Sequence, residues 1–434
     1  MTEPTLSAPP VLVKRSAAIY GLAVLTFINL FNYLDRYVLS ALVESLKNSE
    51  LALSDAQLGA LQTGFIIVYM LASPLFGLLG DRGPRKLLVA AGVAIWSIAT
   101  AMGGLAGSFV TLFLARSSVG IGEAAYGTIA PAMLADFFAK RLRGRVFSVF
   151  FMAIPVGSAL GYILGGLVDA HWGWRMAFFI AGVPGLLLAL LTLTVKDPPR
   201  GAGDVAEPGD DPDDVPMEPG PTGFRAYLAL LRNVPFMITV LGYAAYTFGL
   251  GALAFWTPAF LERVRHVPKA EATVQFGAII VVTGFLGTFI GGWLADALLK
   301  KTKQSYLLVS GIATLLAAPA ILVALLHPDP KVYITFIVIA EVLLFMSTGP
   351  INSAVVNVVP INMRATAVAL SILAIHVLGD VPSPPLIGAI SDAHGHLELA
   401  MTVIPAAVLV AGVIWVYGAW DGARRARHAA QAEG

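Results

Sequence analysis

Four ionisable residues lie inside two long apolar stretches of the chain. Asp35 and Arg36 are near the middle of the first stretch, and Arg116 and Glu123 lie in the fourth. On a helix, Arg116 and Glu123 would share one face, separated by about 10 Å at 1.5 Å per residue. Two carboxylates and two guanidiniums are neutral as a set, which makes their burial tolerable. A proton taken up by one carboxylate would free an arginine to bind an anion.

Polar neighbours extend this candidate site along the first stretch. They recur every three or four residues: Asn29, Asn32, Tyr33, Arg36 and Ser40. One face of the helix is therefore polar, and we expect that face to line an aqueous cavity. Of the two carboxylates, Asp35 is our first choice for the proton-binding group and Glu123 the second. Arg116 is the preferred anion ligand, because a guanidinium fork suits phosphate.

A second set of ionisable residues lies towards the other end of the chain. Glu341 is in the middle of the tenth apolar stretch, and His376 and Asp380 are four residues apart in the eleventh. The spacing places the last two on one helical face. A metal site would need a further ligand that the sequence does not supply, so we predict none. A structural hydrogen bond and a contact with substrate both stay open for this pair.

Composition indicates the solvent that surrounds these residues. Of 434 residues, 57% are hydrophobic and 13% charged, whereas soluble domains have about 45–50% and about 25%. The absence of cysteine excludes disulfides, thiol catalysis and cysteine metal sites. The first 16 residues are polar and carry no cleavage site, so we predict no removable signal peptide. The chain is expected to be a multi-pass membrane protein.

Twelve apolar runs are long enough to cross a bilayer, which takes about 20 residues each. They lie near 17–43, 57–80, 87–107, 110–136, 146–169, 174–195, 233–260, 273–298, 305–326, 332–356, 366–390 and 399–420. The segment 196–232 is acidic and rich in Pro and Gly, and is interpreted as a solvated linker. The predicted organisation is an N-terminal tail (1–16), a six-helix bundle (17–195), the linker (196–232), a second six-helix bundle (233–420) and a C-terminal tail (421–434). The predicted fold class is all-α, with a cavity between the bundles.

Lys and Arg residues indicate the orientation. Most of the 28 fall in the tails, the linker and alternate loops, in clusters such as those at 140–145, 300–303 and 424–427. The positive-inside rule then places both termini in the cytoplasm. The three prolines Pro382, Pro384 and Pro385 interrupt the eleventh run. They predict a kink of the kind that a gate would use.

Two loop segments repeat at equivalent places in the two halves. GLLGD at 77–81 and GWLAD at 292–296 each end the second helix of a six-helix unit, which indicates duplication. Duplicated halves favour substrate binding between them and alternating access. We expect charged residues at these loops to latch the halves on the cytoplasmic side: Asp81, Arg82, Arg85, Lys86, Asp136, Arg143, Arg145 and, more weakly, Asp296. Asp136 is expected to pair with Arg143 or Arg145.

The same segments resemble the major facilitator superfamily. Residues 77–86 resemble its signature between helices two and three, and 116–124 resemble its fourth-helix motif. Within the superfamily the chain is similar to the Spinster group at NYLDR (32–36), GIGEAAYGTIAP (120–131), AIPVGSALGY (153–162), DPPR (197–200), AFWTP (254–258) and HVLGDVPSP (376–384). The resemblance implies a major facilitator fold, proton coupling through Asp35 and Glu123, and export of lysophospholipids or sphingosine-1-phosphate.

The substrate class follows from this resemblance and from the residues together. Tyr126 and Tyr162 are candidates to wall an acyl chain, although ordinary helix packing explains such residues equally well. The predicted function is proton-coupled export of an amphiphilic lipid, with a drug or organic-ion exporter as the alternative. We expect no enzyme activity, because no catalytic grouping is evident. We also expect no cofactor besides the proton, no nucleic-acid partner, a monomer, and a bacterial inner (plasma) membrane as the location.

Overall fold

The computed structural model describes residues 14–202, 224–360 and 363–432, and these form two six-helix bundles. The N-terminal half contains α1 (Arg15–Ala41), α2 (Asp55–Arg82), α3 (Arg85–Gly103), α4 (Phe109–Phe137), α5 (Lys140–Trp172) and α6 (Trp174–Thr192). The C-terminal half contains α7 (Val234–Arg263), α8 (Lys269–Leu299) and α9 (Ser305–Leu326). The remaining three helices are interrupted and consist of shorter segments.

Interruptions mark the last three helices. Helix α10 consists of Pro330–Phe345 and Thr348–Asn357, and α12 of Leu397–Met401 and Val403–Ala432. Helix α11 consists of Arg364–Ile375, a π-helical turn at His376–Asp380, and Ser383–His394. The turn and the break after it lie where Pro382, Pro384 and Pro385 predict a kink, because proline supplies no N–H to the helix. Two short helices, Val43–Lys47 and Phe224–Arg232, lie outside the series.

The twelve predicted spans are confirmed as helices, with ends shifted by a few residues. Within the described residues, eleven spans are long and apolar enough to cross a membrane, and α4 is the one that falls short. Helix α4 carries Arg116 and Glu123, whose charges lower its hydropathy. Large apolar side chains on the outside of the bundle are exposed, among them Leu105 (73%), Leu187 (68%) and Phe289 (75%). Lipid is the solvent that suits such a surface.

Two predicted boundaries need correction. The segment 196–232 is predicted to be a solvated linker, but its last nine residues form the helix Phe224–Arg232, which buries Leu230. Its first residues contact the N-terminal half, where Arg200 donates to the carbonyl oxygens of Gly80 and Gly83. Residues 203–223 lie outside the described chain. The C-terminal tail predicted at 421–434 begins as helix, since α12 continues to Ala432.

Glycines set the closest helix contacts around the candidate site. A Cβ on Gly161 would lie 2.5 Å from the carbonyl oxygen of Leu34, so α5 packs backbone to backbone on α1. A Cβ on Gly120 would lie 2.6 Å from the carbonyl oxygen of Phe65, which brings α4 equally close to α2. Small residues allow this approach where lipid provides no hydrophobic driving force. The glycines therefore bring α5 close to α1 and α4 close to α2, next to the charged residues of α1 and α4.

The two halves contact each other at one end of the bundle. We call the end that carries both termini the near end and the opposite one the far end. At the far end, α2 packs on α11 and α5 packs on α8. The hydroxyl of Tyr162 on α5 donates to the carbonyl oxygen of Ala254 on α7 over 2.6 Å. Ion pairs between charged residues of the two halves also lie at the far end.

Candidate functional site

Two ion pairs join α1 to α4. Nη2 of Arg36 lies 2.6 Å from Oε2 of Glu123, and Nη1 of Arg116 lies 3.3 Å from Oδ1 of Asp35. The guanidinium carbons of both arginines lie over the ring of Phe65, at 5.0 Å and 5.9 Å from its centre. The four charges predicted to form one cluster therefore do lie together, as two pairs whose arginines both contact one aromatic ring.

The two pairs differ in their access to solvent. Arg36 keeps 21% of its side chain exposed, while Glu123, Asp35 and Arg116 keep 0–1%. The rings of Tyr33 and Tyr69 also flank Arg36, with its guanidinium carbon 4.9 Å and 5.4 Å from their centres. An aromatic cage strengthens the attraction for a cation in this position. Arg36 is thus the member of the cluster that a ligand reaches first.

The deeper pair is completed by a residue that the sequence did not single out. Thr100 on α3 donates its hydroxyl to Oδ2 of Asp35 over 2.5 Å. Several polar atoms in the cluster have no hydrogen-bond partner within the described residues: Nε and Nη2 of Arg116, Oε1 of Glu123 and Nδ2 of Asn32. Buried polar atoms without partners are costly. The cluster therefore has spare donors and a spare acceptor that a rearrangement or a ligand would satisfy.

The polar face of α1 is less open than expected. Asn29, Asn32 and Ser40 are each at most 4% exposed, and Nδ2 of Asn29 donates to the carbonyl oxygen of Phe150. Only Tyr33 and Arg36 of the predicted stripe keep some exposure. In this conformation Asn29 therefore packs against α5, and the lining of a cavity by the whole stripe stays a prediction.

On α11, the π-helical turn carries the predicted pair of His376 and Asp380. Nδ1 of His376 lies 2.9 Å from Oδ1 of Asp380, and both side chains are about one-fifth exposed. Asp380 lies within electrostatic range of Tyr37 on α1 and Tyr243 on α7. The pair thus faces the N-terminal half. π-Helical turns occur often at functional sites.

Three other predicted ligand residues are buried. The hydroxyl of Tyr126 donates to the carbonyl oxygen of Leu25 inside the N-terminal half. Tyr162 packs between Tyr37 and Phe276 and joins the two halves. Glu341 is 3% exposed within the C-terminal half. Neither tyrosine offers a surface to an acyl chain in this conformation, because each is in a closed helix interface.

The predicted near-end latch residues lie within their own halves. Arg85 pairs with Asp136 over 2.5 Å and with Asp197 over 2.9 Å, and Arg143 donates to the carbonyl oxygen of Ala135. Asp296 accepts from the hydroxyl of Tyr306 over 3.5 Å. The others reach the surface to different degrees: Asp81, Arg82 and Arg145 are exposed and Lys86 is half-buried. Over 14–202, 224–360 and 363–432, none of the ion pairs found joins the halves at the near end.

At the far end, by contrast, charged residues join the halves. Asp55 at the start of α2 accepts two hydrogen bonds from Arg263 of α7, at 2.6 Å and 2.8 Å. The carboxylate of Asp392 on α11 accepts from the backbone N–H groups of Asp55 and Ala56, at 2.9 Å and 2.8 Å. Lys269 on α8 pairs with Asp169 on α5 over 3.0 Å. We call these residues the far-end seal, because their contacts join the two halves at that end.

The seal is the part of the site that sequence reasoning missed. Its carboxylates and cations lie at helix ends, where charged residues are common and carry no periodic signal. The pairing of Asp35 with Arg116 was also not predictable, because it depends on the register between α1 and α4. The signal that the sequence did carry was the presence of charged residues inside the first and fourth apolar runs.

Comparison with known proteins agrees with this architecture. Residues 25–379 match the family model described as Major Facilitator Superfamily. The chain is 38% identical over 403 residues to protein spinster homolog 3 of Danio rerio, covering 88% of this chain and 78% of that protein. It is 39% identical over 404 residues to protein spinster homolog 1 of Homo sapiens, covering 87% and 73%.

A solved structure extends the likeness to three dimensions. The similar structure is a bacterial homolog of the human lysosomal transporter Spinster, in an inward-facing and unoccupied conformation. The TM-score is 0.79 and the sequence identity 26%, and the match covers 94% of this chain and 96% of that one. The chain belongs to the major facilitator superfamily of membrane transporters. Within that superfamily it is a Spinster-type transporter, and it is not an enzyme.

Proposed function

We propose that this transporter moves an amphiphilic lipid with an anionic headgroup and couples that movement to protons. The observation that carries the proposal is the pair of Arg36 and Glu123, in which the cation is partly exposed and the carboxylate is fully buried. An anionic headgroup that binds Arg36 displaces Glu123. An ionised carboxylate left buried without its cation is costly, so Glu123 takes up a proton when the anion binds.

This coupling gives the headgroup role to Arg36 and not to Arg116. The sequence favours Arg116, but its side chain has 0% exposure and is held by Asp35. Asp35 and Arg116 then act as the second, deeper pair, whose proton uptake we expect to follow that of Glu123. Because anion and proton bind together, lipid and proton travel in the same direction. Export, the direction that the resemblance implies, then requires the proton to leave with the lipid.

The conformation fits one half of an alternating-access cycle. With both termini in the cytoplasm, as the Lys and Arg distribution predicts, the far-end seal closes the outer side and the near end opens inward. The similar bacterial structure is in an inward-facing conformation too. We propose that the closed near-end state brings Asp81 and its neighbours into contact with the C-terminal half. The proposed location is the bacterial inner membrane, with the chain acting as a monomer.

The alternative, an exporter of drugs or organic ions, rests on Asp380. This carboxylate is about one-fifth exposed and lies opposite Tyr37, so it would suit a cationic substrate. A cation there would take the place of His376 beside Asp380, and this alternative function exchanges substrate for protons across the membrane. The sign of the substrate's charge therefore separates the two functions.

Uptake into proteoliposomes tests the proposal. Labelled anionic sphingosine-1-phosphate, zwitterionic lysophosphatidylcholine and an organic cation are compared with and without a pH gradient, for wild type and Asp35→Asn. We expect gradient-stimulated uptake of the anionic lipid that the variant loses. Stimulated transport of the organic cation alone would favour the exporter of organic ions. Absence of transport of all three by folded protein would contradict both.

A further inference from the structure

A small cavity lies inside the C-terminal half, away from the four charges of the N-terminal half. Glu341 of α10 and Thr257 of α7 line it together with apolar side chains that include Leu253, Phe260, Ile321 and Met401. Its volume, counted as the space open to the centre of a water-sized sphere, is about 20 Å³. That volume is enough for one water molecule.

Two polar side-chain atoms at this cavity have no hydrogen-bond partner in the described part of the chain. Glu341 is 3% and Thr257 4% exposed. Neither Oε2 of Glu341 nor Oγ1 of Thr257 has a partner within the described residues. A buried carboxyl and a buried hydroxyl thus face one cavity with unused hydrogen-bonding capacity. Such groups are rare in folded proteins unless they have a role.

The helices packed around Glu341 bring no cation to it. On α7, Arg263 is held by Asp55 and Glu44. Just after α7, Arg265 stacks on Phe260, donates to the carbonyl oxygen of Leu325 and pairs with Glu398 of α12 over 3.8 Å. On α8, Lys269 is held by Asp169, while Glu271 accepts from Gln275. Across 14–202, 224–360 and 363–432, the structure has no ion pair to Glu341.

Phenols are the titratable groups within electrostatic range of Glu341. They are Tyr162 of α5 and Tyr246 of α7. Each donates its hydroxyl to a backbone carbonyl oxygen, that of Ala254 and that of Leu344 respectively. Neither phenol is free to donate to the carboxylate. An ionised Glu341 would therefore be a charge in an apolar cavity with no compensation, which is the most costly state for a carboxyl.

We propose that Glu341 is a second proton-binding site, located in the C-terminal half and separate from the charge pairs of α1 and α4. In this conformation it holds its proton, and the neutral carboxyl shares the cavity with Thr257 and one water. When rearrangement of α7 and α10 opens the cavity, the carboxyl releases that proton to water. A role of Glu341 in transport rests on the proposed proton coupling. The protonation of Glu341 is independent of that proposal.

Infrared difference spectroscopy of the full-length protein in lipid tests the inference directly. A protonated carboxyl gives a C=O stretching band that an ionised carboxylate lacks. We expect wild type at neutral pH to show such a band, and Glu341→Gln to lose it. Asp35→Asn and Glu123→Gln, which alter the other sites, should retain it. An identical spectrum for wild type and Glu341→Gln would overturn the proposal.

A second variant guards against a fold defect in Glu341→Gln. Thr257→Val removes the hydroxyl that faces the carboxyl and should shift the same band to higher frequency. Thr239→Val is the matched control, since its buried hydroxyl donates to the carbonyl oxygen of Pro235 and lies elsewhere on α7. An unshifted band in Thr257→Val would contradict the shared cavity. A band that persists while lipid uptake shows no proton dependence would count against the proposed function and not against this site.

Discussion

Arg36 and Glu123 lie 2.6 Å apart, yet 21% of the arginine side chain is exposed and none of the glutamate is. The pair therefore presents a cation to the ligand and keeps its anion in the protein interior. A headgroup reaches Arg36 without first displacing any other charge. This asymmetry makes the two residues respond differently to substitution.

Arg36→Lys should weaken binding of anionic lipid while leaving the chain folded. Lysine keeps the charge but lacks the planar fork that suits phosphate and stacks on aromatic rings. Loss of one charge-assisted hydrogen bond, about 1.5–3 kcal/mol, corresponds to about a tenfold or larger rise in the half-saturating lipid concentration. Uptake kinetics measure it, and Arg427→Lys at the exposed near end is the control. Unchanged kinetics would remove Arg36 from the binding site.

Glu123→Gln should make lipid binding independent of pH. In wild type, protonation of Glu123 frees Arg36, so affinity for the anionic lipid should rise as pH falls. Glutamine mimics the protonated state and fixes the high-affinity form at every pH. Binding isotherms across a pH series measure this. Glu50→Gln, which removes an exposed partner of Arg175, should keep the wild-type dependence; a variant of Glu123 that keeps it too would contradict the coupling.

Asp35→Asn should lower the stability of the folded protein more than replacement of both Asp35 and Arg116. The single variant leaves Arg116 buried without its carboxylate, which costs about 3–5 kcal/mol. The cost is large because both side chains of the pair are at most 1% exposed. The double variant Asp35→Asn with Arg116→Gln should recover part of the loss. Melting temperatures in detergent are measured for wild type, both single variants and the double variant, which form a double-mutant cycle. Additive losses of stability would show that the two residues do not interact.

Tyr162→Phe should shift the balance between conformations, whereas Tyr126→Phe should not. Each variant removes one hydroxyl that donates to a backbone carbonyl oxygen over 2.6 Å. Only the bond of Tyr162 crosses between the halves, so its loss weakens the closed far end by about 1 kcal/mol. Tyr126→Phe changes stability alone. Equal effects of both variants on the distance between the halves, measured between spin labels, would contradict this assignment.

Asp392→Asn should open the far end. Its carboxylate binds the N-terminus of α2, where backbone N–H groups and the helix dipole favour an anion. Spin labels at Asn48 and His396, both accessible and in different halves, report the opening as a longer distance. The natural chain has no cysteine, so labelling needs no background substitutions. Lys301→Gln at the near end is the control, and an unchanged distance in Asp392→Asn would remove this residue from the seal.

The helices were predictable because crossing a bilayer demands about 20 apolar residues, a signal that survives without tertiary information. That the four charges lie together was predictable for a related reason. Buried charges in a membrane have few possible partners except one another. Which arginine is accessible was not predictable. Which of Arg36 and Arg116 is accessible depends on how α1 is rotated against α4. No residue pattern within either helix predicts that rotation.

The far-end seal shows the opposite case. Asp55, Arg263 and Asp392 come from α2, α7 and α11, and each looks like an ordinary helix-end charge in the sequence. Only the approach of α2 to α11 brings them together. That approach depends on Gly59, where a Cβ would lie 2.5 Å from the backbone of Pro384. The prediction of a latch at the near end remains a prediction, because this conformation closes the other end.

Helix α4 lacks the hydropathy of a membrane span, and this affects how the chain is made. A central charge on an isolated helix costs about 2.5–3.5 kcal/mol when the helix leaves the insertion machinery for lipid. Helix α4 carries such residues in Arg116 and Glu123, and their partners are on α1, which is synthesised first. Stable insertion of α4 into the bilayer therefore requires α1 to lie beside it. The residues proposed to bind proton and lipid thus also affect the cost of inserting α4, so an inactive variant of this site should first be tested for membrane insertion.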